Sequence, residues 1–310
     1  MTSSAKTETA REDLTSRVLP QMVLSKGDAT SLTPAPQPIP LSVSPSERAI
    51  LRFQVEGNAM YKRRSVTGGA GTLGFEASRA LLEHGAKGLM IFDVNPTQSS
   101  LKAAELQKEF PSATVGFKTV DITDEEAVKK AVDETAEYLG SIDILLSFAG
   151  VVGCSHALTM THQQFRRTLD INTTGAFLIA HATAPHMIAQ KRGGSITFIA
   201  SISGHRVNYP QPQVAYNVSK AALITLKNGL AAEWARYGIR TNTISPGYAD
   251  TILNEGEGIR ECREVWMERN PMGRMGTPWE LTGVVVLLCS RAGSYINGSD
   301  FVVDGGQTLF

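Results

Sequence analysis

From about residue 46 onward, this 310-residue chain alternates short, mainly apolar runs with helix-length stretches, and no other feature restricts its fold as much. The runs at residues 89–92, 142–148, 195–200 and 241–245 are bounded by polar or turn residues, as strands buried on both faces would be. Helix starts are signalled between them by Thr123 followed by Glu126 and by Thr161 followed by Gln164, both of capping-box form. Strand and helix in alternation predict a doubly wound α/β fold, a parallel sheet with helices on both faces. In such a sheet the ligand crevice lies at the carboxyl ends of the strands, so chemistry-bearing motifs belong just after strands.

Residues 1–45 are poor in aromatics, rich in Ser, Thr and Pro, and include Pro34-Ala35-Pro36-Gln37-Pro38-Ile39-Pro40. Such a segment buries too little apolar surface to offset its ordering entropy, so a flexible tail is expected there, with one domain over residues 46–310. Lys plus Arg and Asp plus Glu balance at 30 each, which leaves no long-range field for nucleic acid or an anionic membrane. Lys62-Arg63-Arg64 reads as a solvated turn. No run approaches the roughly 18 apolar residues of a membrane span. Acidic residues near the start argue against a transit peptide, and the lack of an apolar stretch argues against a signal peptide. Cys154, Cys262 and Cys289 have neither disulfide-framework nor metal-ligand spacing, so no metal and a cytoplasmic location are expected.

The segment Val66-Thr67-Gly68-Gly69-Ala70-Gly71-Thr72-Leu73-Gly74 contains a literal Gly-x-Gly-x-x-Gly dinucleotide fingerprint at a helix start. Glycines there allow a tight turn and close approach of a pyrophosphate to backbone N–H groups. Asp93 follows Gly74 by 19 residues and ends the next strand. A carboxylate there can accept both ribose hydroxyls of NAD and repels a 2′-phosphate, although a helix-capping aspartate would look the same. The lead-in to the loop, residues 59–66, is basic where a central strand should be apolar, so a frayed strand or a bulge is expected.

Tyr216 and Lys220 are four apart and share a helix face. A free phenol has a pKa of about 10. A neighbouring ammonium favours the phenolate and draws it toward the range useful for acid–base catalysis. Ser201, at the end of a buried strand, can hydrogen-bond a substrate oxygen. A lone Tyr-x-x-x-Lys is ordinarily only a helix surface, so the pair needs its companions to carry weight.

With those companions, residues 50–310 resemble the classical short-chain dehydrogenase/reductase family, whose fold is of Rossmann type. Tyr216 and Lys220 match its Tyr-x-x-x-Lys, Ser201 its strand-end serine, and Asn172-Thr173-Thr174-Gly175 its Asn-x-x-Gly. The resemblance implies catalysis by Tyr216 as general acid/base, with Lys220 holding the nicotinamide ribose and lowering the tyrosine pKa. It further implies that Ser201 polarises the carbonyl and Asn172 holds a proton-relay water. Cofactor contacts are implied for Gly68, Gly71, Leu73, Gly74, Asp93, Asp121, Ile122, Ala149, Gly150, Tyr216, Lys220, Gly247 and Thr251, with NAD expected and NADP the alternative. Two departures stand out: Thr72 replaces the middle loop glycine, and Ser147-Phe148 replaces the usual Asn-Asn before Ala149-Gly150.

Within the family, the stretch from Ser201 through Gly204-His205, Asn208 and Pro210-Gln211-Pro212-Gln213 to Tyr216 resembles the fungal mannitol, arabinitol and sorbose group. His205, Asn208, Gln211 and Gln213 would then stand near the active-site mouth, where a polyol needs donors and acceptors for its buried hydroxyls. An inter-subunit or solvent-facing loop would read the same way. Cys154 and His156 follow a strand end and could line the pocket or be bystanders. Residues 252–272 are expected to cover the substrate. Two alternatives remain: a ketoreductase acting on a bulky secondary-metabolite ketone, and a cofactor-binding protein with little turnover. A homodimer or homotetramer is implied through the helix carrying Tyr216, with Ala221, Ala222, Leu230 and Ala231 as its small and apolar face.

Overall fold

In the computed structural model, the structure describes residues 64–68, 70–251, 254 and 259–309. All belong to one compact unit, Val55–Phe310. The expected tail, the lead-in residues 59–63, Gly69 and most of the Asn254–Gly258 stretch lie outside the described residues.

Seven parallel strands form one sheet in the order β3-β2-β1-β4-β5-β6-β7. They are β1 Arg64–Gly68, β2 Gly88–Asp93, β3 Thr114–Thr119, β4 Ile144–Ser147, β5 Gly194–Ile199, β6 Ile239–Pro246 and β7 Asp300–Val303. The crossover elements include α1 Thr72–Glu83, α2 Pro96–Glu109, α3 Glu125–Leu139, α4 His162–Leu169, α5 Gly175–Ala189, α6 Val214–Trp234, α7 Arg260–Glu268 and α8 Thr282–Cys289. The α/β doubly wound expectation is met.

Successive side chains on a strand point to opposite faces. In β2, Met90 and Phe92 join one core with α3, α5 and α6, while Leu89 and Ile91 join another with α1, α2 and α8. β4 divides in the same way, Leu145 to the first core and Ile144 and Leu146 to the second. Two-sided burial is why these strands read as unbroken apolar runs. The outer strand β3, by contrast, has no fully buried residue, and its sequence carries no apolar run to reveal it.

Three local expectations change. The basic lead-in does not stop β1, which pairs in continuous register with β2 from Arg64↔Gly88 to Gly68↔Phe92 and with β4 from Ser65↔Ile144 to Thr67↔Leu146. Helix α3 is capped by Asp124 rather than Thr123, its side chain accepting from Ala127 N at 3.0 Å. The Thr161–Gln164 capping box forms as expected, with Thr161 N donating to Gln164 Oε1 at 2.8 Å and Gln164 N to Thr161 Oγ1 at 3.2 Å. Leu230 and Ala231 are buried, so they cannot form an oligomer face; Val214 and Val218 are the large exposed apolar residues of α6. No helix among the described residues is long and apolar enough to cross a membrane.

Candidate active site

β1 and β4 adjoin where the strand order reverses, and the chain must diverge there because successive crossovers leave in opposite directions. A cavity of about 1300 Å³ opens along this edge. Gly71, Thr72, Leu73 and Gly74 line it at the start of α1, followed by Asp93, Asp121, Ile122, Ala149 and Gly150. Its far part is lined by Ser201, Tyr216, Lys220, Gly247 and Thr251. Gly68 ends β1 in the chain immediately before the loop. Of the remaining expected residues, Asn172 is fully buried beneath the cavity rather than in its wall.

The phosphate loop tolerates its substitution. Gly71 has φ −68°, an ordinary extended conformation, and a Cβ there would touch nothing within 4 Å. Thr72 itself is the first residue of α1 and has no positive φ, so a side chain there needs no unusual backbone, and its N–H stays at the positive end of the helix. Asp93 Oδ2 accepts from Ala70 N at 2.7 Å and Oδ1 from Asn95 N at 3.0 Å, tying the second strand end to the loop. Asp121 is likewise fixed, its Oδ1 accepting from Thr123 N at 2.9 Å and Thr123 Oγ1 at 2.7 Å; the backbone bond first, then the hydroxyl, lower its pKa.

Ser201 follows β5 and begins a tight turn over Ile202–Gly204, where its Oγ accepts from Ser203 N at 3.1 Å and donates to Ser203 Oγ at 3.0 Å. A Cβ on Gly204 would lie 2.8 Å from the Lys220 carbonyl carbon, so only glycine lets this turn rest directly on the backbone of α6. That contact brings Ser201 within hydrogen-bonding reach of the Tyr216 hydroxyl. Tyr216 is half-buried by surface area, and its phenol end is the enclosed part. Burial pushes the phenol up to about 12, the Ser201 hydrogen bond opposes the rise, and nearby Tyr248 adds to it.

Lys220 Nζ stands 5.5 Å from the Tyr216 ring centre and donates to Ile199 O at 2.7 Å. No acidic side chain pairs with it among the described residues, and burial lowers its pKa to about 8. Of the influences on Tyr216, burial is the largest and the Ser201 hydrogen bond is the one that opposes it. Desolvation moves the two groups toward neutrality from opposite sides.

Asn172 sits in a π-helical turn, Asp170–Thr174, between α4 and α5. Its Oδ1 accepts from Val151 N at 2.8 Å, and its Nδ2 donates to Val151 O at 2.9 Å and Ser219 Oγ at 3.0 Å. The amide clamps the exit of β4 to the catalytic helix, and only one lone pair of its side chain stays uncommitted. A Cβ on Gly150 would lie 3.2 Å from Asn172 Oδ1 and 3.6 Å from Lys220 Nζ, so glycine keeps this floor of the cavity low.

The cradle accepts an elongated ligand with a phosphate-binding middle: a helix N-terminus with an adjoining glycine turn, carboxylates at two strand ends, and a lysine–tyrosine pair beyond a glycine floor. These residues fit a nicotinamide dinucleotide. A family model described as enoyl-(acyl carrier protein) reductase matches residues 68–308. The chain belongs to the short-chain dehydrogenase/reductase family. It is 34% identical over 281 residues to a protein described as a probable NADP-dependent mannitol dehydrogenase from Yarrowia lipolytica, spanning 90% of this chain and 96% of that one. A ribulose-forming D-arabinitol 2-dehydrogenase from Scheffersomyces stipitis is 39% identical over 255 residues, 78% of this chain and 91% of that protein. A short-chain dehydrogenase/reductase structure from Mycobacterium marinum superposes with a TM-score of 0.76 at 36% identity, covering 81% of this chain and 97% of that one. As a member of this family the chain is an NAD(P)-dependent oxidoreductase.

Of the loop residues expected at the mouth, Asn208, Gln211 and Gln213 line the cavity, as does Cys154. His205 and His156 do not: His205 Nε2 lies 2.7 Å from Asp300 Oδ2 and 3.3 Å from Ser245 Oγ, turned to the edge of the sheet. Cys262 and Trp266 of α7 line the cavity from the covering segment. Tyr248, which the sequence reading passed over, is a wall residue too; its place immediately after Pro246-Gly247 was the available signal.

The burial of Lys220 has a measurable consequence. A fall from 10.5 to about 8 corresponds to a cost on the order of 3 kcal/mol for keeping the ammonium charged in the fold. Below about pH 8 the whole cost is present. Above that pH the unfolded chain holds the proton more often than the folded one, so stability rises until Tyr216 acts in the opposite sense above about 10. Lys220→Met is expected to be more stable than the wild type at pH 7 in urea unfolding, and to lose the rise between pH 8 and 10. Equal stability with an unchanged pH slope would refute this account.

Proposed function

We propose that the chain interconverts a polyol and the corresponding ketose, oxidising a secondary alcohol with NAD or reducing its ketone with NADH. The observation that carries this reading is the wall beyond Tyr216, where Asn208, Gln211, Gln213 and Tyr248 offer polar groups to a substrate rich in hydroxyls. Relatives described as mannitol dehydrogenase, D-arabinitol 2-dehydrogenase and sorbose reductase support it. Gly71, Leu73, Gly74, Asp93, Asp121, Ile122, Ala149, Gly150, Gly247 and Thr251 would hold the dinucleotide together with Lys220. When bound, the nicotinamide supplies or accepts the hydride at the reacting carbon.

In the reductive direction the Tyr216 hydroxyl, neutral up to about 12, gives its proton to the substrate oxygen. Ser201 turns its one hydroxyl proton from Ser203 Oγ to the same oxygen, while the Ser203 N–H, donating to Ser201 Oγ, holds it in register. Lys220, anchored on Ile199 O, places positive charge beside the phenolate left behind. Asn172 contributes by fixing Val151 and Ser219, and its remaining lone pair is available to a relay water. A bulky ketone is the second substrate reading, favoured by the stacked aromatic pair Tyr248–Trp266 at the wall.

A rate screen over polyols, ketoses and polycyclic ketones separates the two. Turnover of a polyol–ketose pair is expected, and Tyr216→Phe should lower kcat by roughly 10²- to 10⁴-fold without loss of cofactor binding. No turnover of any sugar would overturn the polyol reading.

For the cofactor, the Asp93 carboxylate supports NAD, because it repels a 2′-phosphate. Both its oxygens already accept backbone N–H groups, and two fungal relatives are described as NADP-dependent, so NADP is the competing reading. Titration of NADH and NADPH by fluorescence is expected to give tighter NADH binding, with Asp93→Ala narrowing the gap. Tighter NADPH binding by the wild type would reverse the assignment.

A homodimer or homotetramer completes the proposal, with Val214 and Val218 of α6 and Phe177 of α5 as exposed apolar residues at hand. Light scattering should return a dimer or tetramer mass, and a monomer mass would refute it. The cysteines, none of them in a disulfide, suit the cytoplasm.

A further inference from the structure

The wall opposite the serine turn is built with more care than a passive surface needs. Tyr248 stacks on Trp266 of α7 with ring centres 4.0 Å apart and planes 4° from parallel. Its backbone is held as well, Gly276 N donating to Tyr248 O at 2.9 Å, while the preceding Gly247 N donates to Val303 O at 2.9 Å. A Cβ on Gly247 would lie 2.7 Å from Asp304 Cα, so the loop cannot shift outward without breaking that packing. Tyr248 is therefore a positioned side chain, and little ordering remains to be done when a ligand arrives.

The polar surroundings fix which way its hydroxyl can act. Asn208 Nδ2 donates to the Tyr248 hydroxyl at 3.0 Å and Gln211 Nε2 donates to it at 3.2 Å. Neither amide can be reversed without loss. Gln211 Oε1 accepts from Trp266 Nε1 at 3.2 Å, and Asn208 Oδ1 accepts from Asn217 Nδ2 at 3.0 Å. Asn217 is the neighbour of Tyr216 on α6 and also donates to Ser203 O at 2.7 Å. With two donors on its oxygen, the phenol of Tyr248 has both lone pairs occupied and keeps only its proton to give. No acceptor for that proton is present among the described residues, and the ring lines the cavity that holds Tyr216.

We infer that Tyr248 selects the substrate: its hydroxyl donates a hydrogen bond to a hydroxyl oxygen of the polyol beside the reacting carbon, and Trp266 is its positioning residue. The inference rests on the polyol reading proposed above. A donor-only group recognises an oxygen acceptor and gains nothing from a methylene, so it discriminates between a polyol and its deoxy analogue. It also joins the covering helix α7 to the catalytic helix through one chain of oriented side chains, Trp266, Gln211, Tyr248, Asn208 and Asn217.

The test compares a polyol with its analogue lacking the hydroxyl next to the reacting carbon, in the wild type, Tyr248→Phe and Trp266→Phe. The wild type is expected to favour the polyol in kcat/KM. Tyr248→Phe keeps the ring stack but removes the donor, and should reduce that preference by roughly tenfold, the factor that about 1.4 kcal/mol represents. The change should fall on KM for the polyol, with NADH binding unaltered, which also certifies that the variant is folded. Trp266→Phe should move KM the same way by a smaller factor, since Gln211 loses one of its two anchors. An unchanged preference in Tyr248→Phe would overturn the inference while leaving the polyol reading intact. A wild type inactive on every polyol would overturn that reading, and is recognised before any variant is made.

Discussion

Covering a parallel sheet on both faces constrains everything else in this molecule. Each strand must be followed by a crossover that returns the chain to the same starting edge, so every strand ends along one rim. β2 delivers Asp93 there, β4 delivers Phe148 to Gly150, β5 delivers Ser201, and β6 delivers Gly247 and Tyr248. The rim is where backbone groups leave the sheet ladder, and where the N-terminus of α1 points its free N–H groups. A ligand crevice follows from the layer architecture before any catalytic residue is considered.

Into this rim the fold inserts an uncompensated cation. Lys220 is buried, has no carboxylate partner among the described residues, and donates to one carbonyl of β5. A core built for stability alone would put a hydrocarbon there, and the proton transfer proposed at Tyr216 gives the charge a use. The cost is contained by rigid support. Gly204 lets the serine turn lie directly on the backbone around Lys220, and Asn172 joins the exit of β4 to Ser219 one residue before it. The π-helical turn at Asp170–Thr174 places that asparagine side chain under the floor instead of on a helix flank, which explains how it can brace two elements at once.

The departures from the family pattern prove mild where the structure describes them. Thr72 opens α1 without a positive φ, so its backbone needs no glycine there. Phe148, in place of an asparagine, packs partly against the core shared by α1, α2 and α8 and also lines the cavity. The polar wall at Tyr248 and the stacked Trp266 lie farther along the same rim, on the loop after β6 and on α7.

The sequence by itself determined four of the seven strands, β2, β4, β5 and β6, and the order of the motifs, because burial on two faces writes apolar runs that need no partner to be recognised. It also placed Tyr216 and Lys220 on one helix face, since a helix brings residues four apart together, while Ser201 joined them only through the family resemblance. It was silent on β3, whose half-exposed residues carry no run, and it misplaced the α3 cap by one residue because Thr123 and Asp124 are both competent caps. Only the tertiary structure decided that His205 turns to Asp300 while Asn208 and Gln211 meet at Tyr248, that Leu230 and Ala231 are buried, and that burial is the largest influence on the Tyr216 phenol. Those outcomes depend on which groups come together from distant parts of the chain and how much water they exclude, quantities that periodicity and spacing do not contain.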